Sequence, residues 1–191
     1  EKSERHFPTF ANVRGSMLEE TTQFFIDLFQ NDRSVLSLLD ADHTFVDAKL
    51  AQHYGIPLPA AGWQRVDGLR ALGRGGILGM ASTLAKQSGA SRTSPILRGN
   101  WISEVVLGEK LPRPPKGVPI LPEEAPPGLT ERQLIESHST EPKCATCHQR
   151  IDPLGFALEG FDAIGRARRT DAGGLAVDTR AKLMDGAEFT G

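Results

Sequence analysis

The sequence predicts a mainly α-helical protein, and three observations predict it. Apolar residues recur at helical spacing behind recognisable caps, glycine and proline stop those stretches at short intervals, and one such helix leads directly into a Cys-x-x-Cys-His motif. The 191 residues, 39% hydrophobic, suffice for one generous domain or two small ones with a proper core. The expected layout is a helical region over 1–110, a proline-rich connector over 111–128 and a second segment over 129–191 that carries a small β-hairpin.

Ser16 followed by Glu19 reads as a capping box, and Leu18, Thr22, Phe25, Leu28 and Phe29 then recur at helical spacing up to Asn31-Asp32. Ser34 caps a short helix through Leu39, and Asp42 a third in which Phe45, Leu50 and Tyr54 share a face before Gly55 and Pro57 stop it. Residues 58–76, rich in Gly, Pro and Ala, read as a loop with room for a brief strand, anchored by Trp63 and Val66. Helical signal returns over Ile77 to Lys86. Ser94-Pro95 then places a cap before a first-turn proline, and Ile96 to Leu107 continues as a helix closed by Gly108, with Trp101 and Val105 toward the core.

Seven prolines between Leu111 and Gly128 exclude helix and predict an extended path. Its apolar Val118, Ile120 and Leu121 suggest that it lies along a surface; a plain linker is the alternative. Thr130 with Gln133 opens a capped helix through His138, which Pro142 separates from the motif. Phe156 to Ile164 reads as a short helix, and Arg168 to Thr179, centred on Asp171-Ala172-Gly173-Gly174, as a hairpin.

The motif is Cys144-Ala145-Thr146-Cys147-His148, the attachment signature of c-type haem. Each thiol adds to one vinyl group, the spacing sets the cysteines a turn apart, and the adjacent imidazole becomes the proximal iron ligand. With no internal repeat, one covalently attached haem c is expected in a cytochrome c-like segment. A zinc site wants four Cys or His ligands and would have to recruit two histidines, since these are the only two cysteines. A thioredoxin-like dithiol would sit at a strand-to-helix junction, whereas Pro142 and Asp152-Pro153 flank this pair.

For the sixth position the candidates are Met17, Met80, Met184, His6, His43, His53 and His138. Met80, in Gly79-Met80-Ala81-Ser82, stands among small residues that admit a flat macrocycle and is the expected ligand, joining the two halves of the chain about one cofactor; ordinary core packing is its alternative. His138, only six residues before Cys144, is expected to make a polar contact. Propionates need cationic or hydrogen-bonding partners, for which Arg98, Arg150 and Arg166 are candidates, each with exposure in a surface ion pair as the ordinary alternative. Asp152 reads as a turn former before Pro153, and Glu159 and Asp162 as helix-face charges.

A net charge of −2 offers no footprint for nucleic acid. No stretch reaches the roughly 18 apolar residues of a membrane span; the longest, Trp101 to Leu107, is interrupted by Ser103 and Glu104. The first residues lack the layout of a signal peptide and the last break off in mid-pattern, so a fragment of something longer is expected; haem attachment of this kind resembles what is done outside the bacterial cytoplasm, which implies a lost export signal or an exported parent.

Three groups of residues resemble the planctomycete-type cytochrome c proteins, built from consecutive domains of unknown function in Planctomycetes, Acidobacteria and relatives. Asp32-Arg33-Ser34-Val35, Leu39 to Phe45 and His53 to Pro57 resemble the end of one such domain; Gly75 to Leu78, Arg92 to Pro95 and Arg98-Gly99 resemble the start of the next; and CATCHQRIDPLGFALEGFDAIGR, Cys144 to Arg166, resembles its haem-binding end. The resemblance implies exported, haem-bearing proteins, often larger than this chain, with Met, Gln or His among the residues at the place of Met80. It brings no reaction with it. The expectation is a periplasmic or otherwise exported electron carrier whose donor and acceptor are redox proteins or a larger exported complex. A haem oxidoreductase or peroxidase, an electron-entry module, and a structural haem-bearing subunit are the alternatives.

Overall fold

The structure, a computed structural model, describes residues 1–57, 61–112, 114, 117–118, 121–122 and 126–191. It is mainly α, with two two-stranded antiparallel sheets among the described residues. Ile120 lies outside the described residues. The chain divides into two compact units: Glu1–Lys86 with Ile164–Arg166, and Gln87–Ala163 with Ala167–Gly191. The division therefore falls at Lys86, ahead of the proline-rich connector.

In the first unit, α1 runs from Phe10 to Gln30 and buries Val13, Met17, Glu20, Phe24 and Leu28, a stripe at three- and four-residue spacing. It begins two turns earlier than the expected cap at Ser16, because Val13 and Met17 extend the same face. Ser16 lies inside the helix and donates its hydroxyl to Asp47 Oδ2 at 2.7 Å. A short helix α2, Ser37–Asp40, follows. Where a third helix was expected from Asp42, His43–Val46 forms strand β1, whose β-branched and aromatic residues pair antiparallel with β2, Gln64–Asp67. The helix starts later, as α3 over Ala48–Tyr54, with Asp47 Oδ1 accepting the Leu50 N–H and Gly55 closing it at a φ of 70°. The Ile77 to Lys86 region is a 3₁₀ turn, Ile77–Gly79, followed by α4, Ala81–Lys86.

In the second unit, Ser94 caps α5, Pro95–Trp101, which continues as a π-helical turn over Ile102–Val106. That shift of register buries Ile102 and Ser103 and leaves Val105 59% exposed, contrary to its expected core position. Helix α6, Glu131–His138, has the expected capping box at Thr130 and Gln133. Helix α7 spans Pro142–Phe156, passing through Pro153, so Asp152 is helical and buried, where a turn was expected. No helix follows over Phe156 to Ile164. The Arg98 guanidinium takes the carbonyls of Leu158, Phe161 and Asp162 at 2.7–2.9 Å, oxygens that a helix would need for its own ladder. The expected hairpin over Arg168 to Thr179 is reduced to one bridge, Thr170 with Ala176. The regular hairpin lies beyond it: β3, Arg180–Lys182, pairs with β4, Glu188–Thr190.

Helices α5 and α7 cross in close contact. A Cβ on Gly99 would stand 1.9 Å from the Ile151 carbonyl oxygen. The same distance separates a Cβ on Gly155 from the Pro95 carbonyl oxygen. Only glycine admits backbones this near.

Candidate functional site

Pro142 occupies the first turn of α7, where its missing N–H costs nothing. Cys144, Cys147, His148 and Ile151 follow at positions i, i+3, i+4 and i+7, one face of the helix. That face borders a cleft of about 450 Å³. Ile96 and Leu97 of α5 and Leu111, Pro112, Pro114, Val118 and Leu121 of the connector supply most of the other walls. These residues of the connector thus line the cleft; Arg92 helps to hold the connector at Pro122, donating from Nε to its carbonyl at 3.1 Å.

Both cysteines are free thiols, partly exposed. The His148 Nδ1 lies 3.0 Å from each carboxylate oxygen of Asp152, one helical turn on. An ionised carboxylate only accepts, so Nδ1 is the donor of this pair and Nε2 takes no part in it. Burial pushes the Asp152 carboxyl up from its ordinary range, and the bond to His148 opposes that push. The His138 ring stands edge-on to His148, centroids 5.6 Å apart. Arg92, Lys143 and Asn100 add polar groups to the lining.

Two thiols and one imidazole on an apolar cleft fit the donor set of a covalently held haem, with cations at hand for its carboxylates. Among the described residues no group of three or more His, Cys, Asp or Glu gathers as a metal-holding cluster.

Residues 74–171, more than half of the chain, match the family model PSCyt3, protein of unknown function (DUF1588). The chain belongs to this family. Residues 1–56 match a second model, PSD4, protein of unknown function (DUF1592). No curated protein and no solved structure matches the chain. The PSCyt3 match includes Met80 of the first unit together with Cys144, Cys147 and His148 of the second, and it ends before the β3–β4 hairpin.

Met80 itself is 3% exposed and packs with Phe24 and Ala41 in the first unit's core, its sulfur 3.8 Å from Thr21 Oγ1. Arg166, also of the first unit, is exposed, as is Arg150 of the second.

Arg98 is not the exposed residue that its ordinary alternative required. It is 1% exposed, so the surface ion pair is ruled out, and its terminal nitrogens reach Glu159 at 3.0 Å, Ser88 and the three carbonyls named above. Its Nε has no partner among the described residues. Glu159, expected on a helix face, is buried as well, because Arg98 and Arg168 converge on it. The Thr93 hydroxyl, with one proton, lies 2.5 Å from Glu131 and 2.6 Å from Glu159. Burial pushes Glu159 up to about 7. Glu131 feels the same burial, but Arg168 and Thr93 hold it below the usual carboxylate range. Of the two acids Glu159 is therefore the one that takes up a proton first, while Glu131 stays ionised beside Arg168.

Sequence reasoning missed Arg92 and Lys143 as cleft cations and Asp152 as the partner of His148. Only the last left a signal, the four-residue step from His148 to Asp152 within one helix.

Proposed function

We propose that this chain is a monohaem c-type cytochrome segment of an exported protein, transferring single electrons between redox partners or within a larger complex. Cys144 and Cys147 would hold the porphyrin by thioether bonds and His148 would ligate the iron through Nε2. Haem bound in this way supplies a one-electron couple. The observation that carries the reading is that both thiols and the imidazole border a single cleft of about 450 Å³ with largely apolar walls. A structural zinc site is instead closed by four nitrogen or sulfur donors. Arg92 and Lys143 take the place of Arg98 as the proposed propionate partners, since they line the cleft and Arg98 does not.

Met80 is retained as the proposed sixth ligand on the sequence argument. Its packing against Phe24 favours a second reading, a haem oxidoreductase or peroxidase whose sixth position is open to small ligands.

The test is expression with a c-type haem attachment system, acid–acetone extraction and metal analysis. Colour should stay with the polypeptide at one iron per chain, and Cys144→Ala/Cys147→Ala should lose it. Zinc without iron would overturn the proposal. Carbon monoxide binding by the reduced parent would favour the second reading.

A further inference from the structure

We infer that Asp152 is a positioning residue for His148 that also lowers the reduction potential of the iron, an inference that rests on the haem reading above. The residue is 5% exposed, and its two carboxylate oxygens are equidistant, at 3.0 Å, from His148 Nδ1. Such a pair does two things. It fixes the tautomer, so that Nε2 presents a lone pair, and it fixes the ring about its bonds to the helix. A carboxylate also draws the Nδ1 proton more strongly than a backbone carbonyl or water does, which makes the imidazole a stronger donor and favours the ferric state.

The location supports this role. Asp152 is held by α7 itself, one turn from its partner, and the α5 contact at Gly99 and Gly155 brackets it on the same helix. Elsewhere in this unit buried acids are matched by arginines; Asp152 is matched by the histidine. A helix-face charge needs no such burial.

The experiment compares the holoprotein with Asp152→Asn and Asp152→Glu by redox titration. Asp152→Asn should raise the midpoint potential with haem still attached, and Asp152→Glu should lie between it and the parent. An unchanged potential in coloured Asp152→Asn would overturn the inference. A parent without iron porphyrin would overturn the haem reading instead, so the two failures are distinct.

If Asp152→Asn does not fold, the parent still decides. In the diamagnetic ferrous form, made with carbon monoxide where the iron is high-spin, ¹⁵N NMR of His148 should show a protonated Nδ1 whose proton exchanges slowly with solvent. Rapid exchange, as in free imidazole, would overturn the inference.

Discussion

A methyl group on Gly155 would stand 1.9 Å from the carbonyl oxygen of Pro95, so the backbones of α7 and α5 touch at this point. The contact fixes the helix that carries Cys144, Cys147 and His148 against the helix that carries Ile96 and Leu97, both of which line one cleft.

Gly155→Ala should therefore destabilise the protein by about 3 kcal/mol, at the upper end of the usual cost of overpacking, because backbone and not a flexible side chain must move. Urea unfolding checks the stability. Under the proposed haem function, the Soret band of the loaded variant should also broaden.

Arg98→Met should cost about 3–5 kcal/mol, the range for breaking a buried ion pair from one side, since it leaves Glu159 Oε1 without its arginine and three carbonyls without their donor, although Arg168 still meets Oε2. Arg98→Lys should not rescue it, because one ammonium cannot serve acceptors spread over the fork. A variant with full stability but an altered haem spectrum would instead give Arg98 a propionate role.

Met80→Ala separates packing from ligation. Loss of the side chain from the contact with Phe24 and Ala41 should cost about 2–5 kcal/mol. If Met80 also binds iron, the oxidised parent shows the weak near-infrared sulfur-to-iron band, and the variant loses it and binds cyanide.

Glu20 gives the first unit a pH dependence. Burial pushes its carboxyl from 4.5 up to about 7, against the hydrogen bonds of Thr44 and Tyr54, each 2.6 Å long, and the nearby Arg74. The folded state then holds a proton that the unfolded chain releases. Its contribution is complete below pH 4.5 and lost as the pH rises through about 7. Urea midpoints should fall between pH 4.5 and 7.5, and Glu20→Gln should fall less. Glu159 adds a slope of the same sign that this variant leaves in place.

Local chemistry made part of this fold legible. Thr130 and Gln133 cap α6 as expected, Ser94-Pro95 opens α5, and the Cys144–His148 face needs only helical spacing. What stayed hidden depends on partners far along the chain. Strand β1 exists because Gln64–Asp67 pairs with it, and the segment after Phe156 is irregular because Arg98, some sixty residues earlier, takes its carbonyls. Asp152 was misread for a local reason. A following proline disfavours helix, but one in the last turn is tolerated where the freed carbonyl can find another partner.

The return of Ile164–Arg166 to the first unit sets an order of assembly. His53 donates to the Ile164 carbonyl at 2.8 Å and the buried Arg74 to that of Gly165 at 2.5 Å, acceptors 111 and 91 residues downstream. A chain emerging from the ribosome or through an export channel amino end first delivers both donors long before either acceptor. Cys144, Cys147 and His148 emerge in between. The first unit therefore completes its bonding only after the thiols have been presented, and under the proposed haem function that interval is when an attaching enzyme would meet them on a chain that has not yet closed.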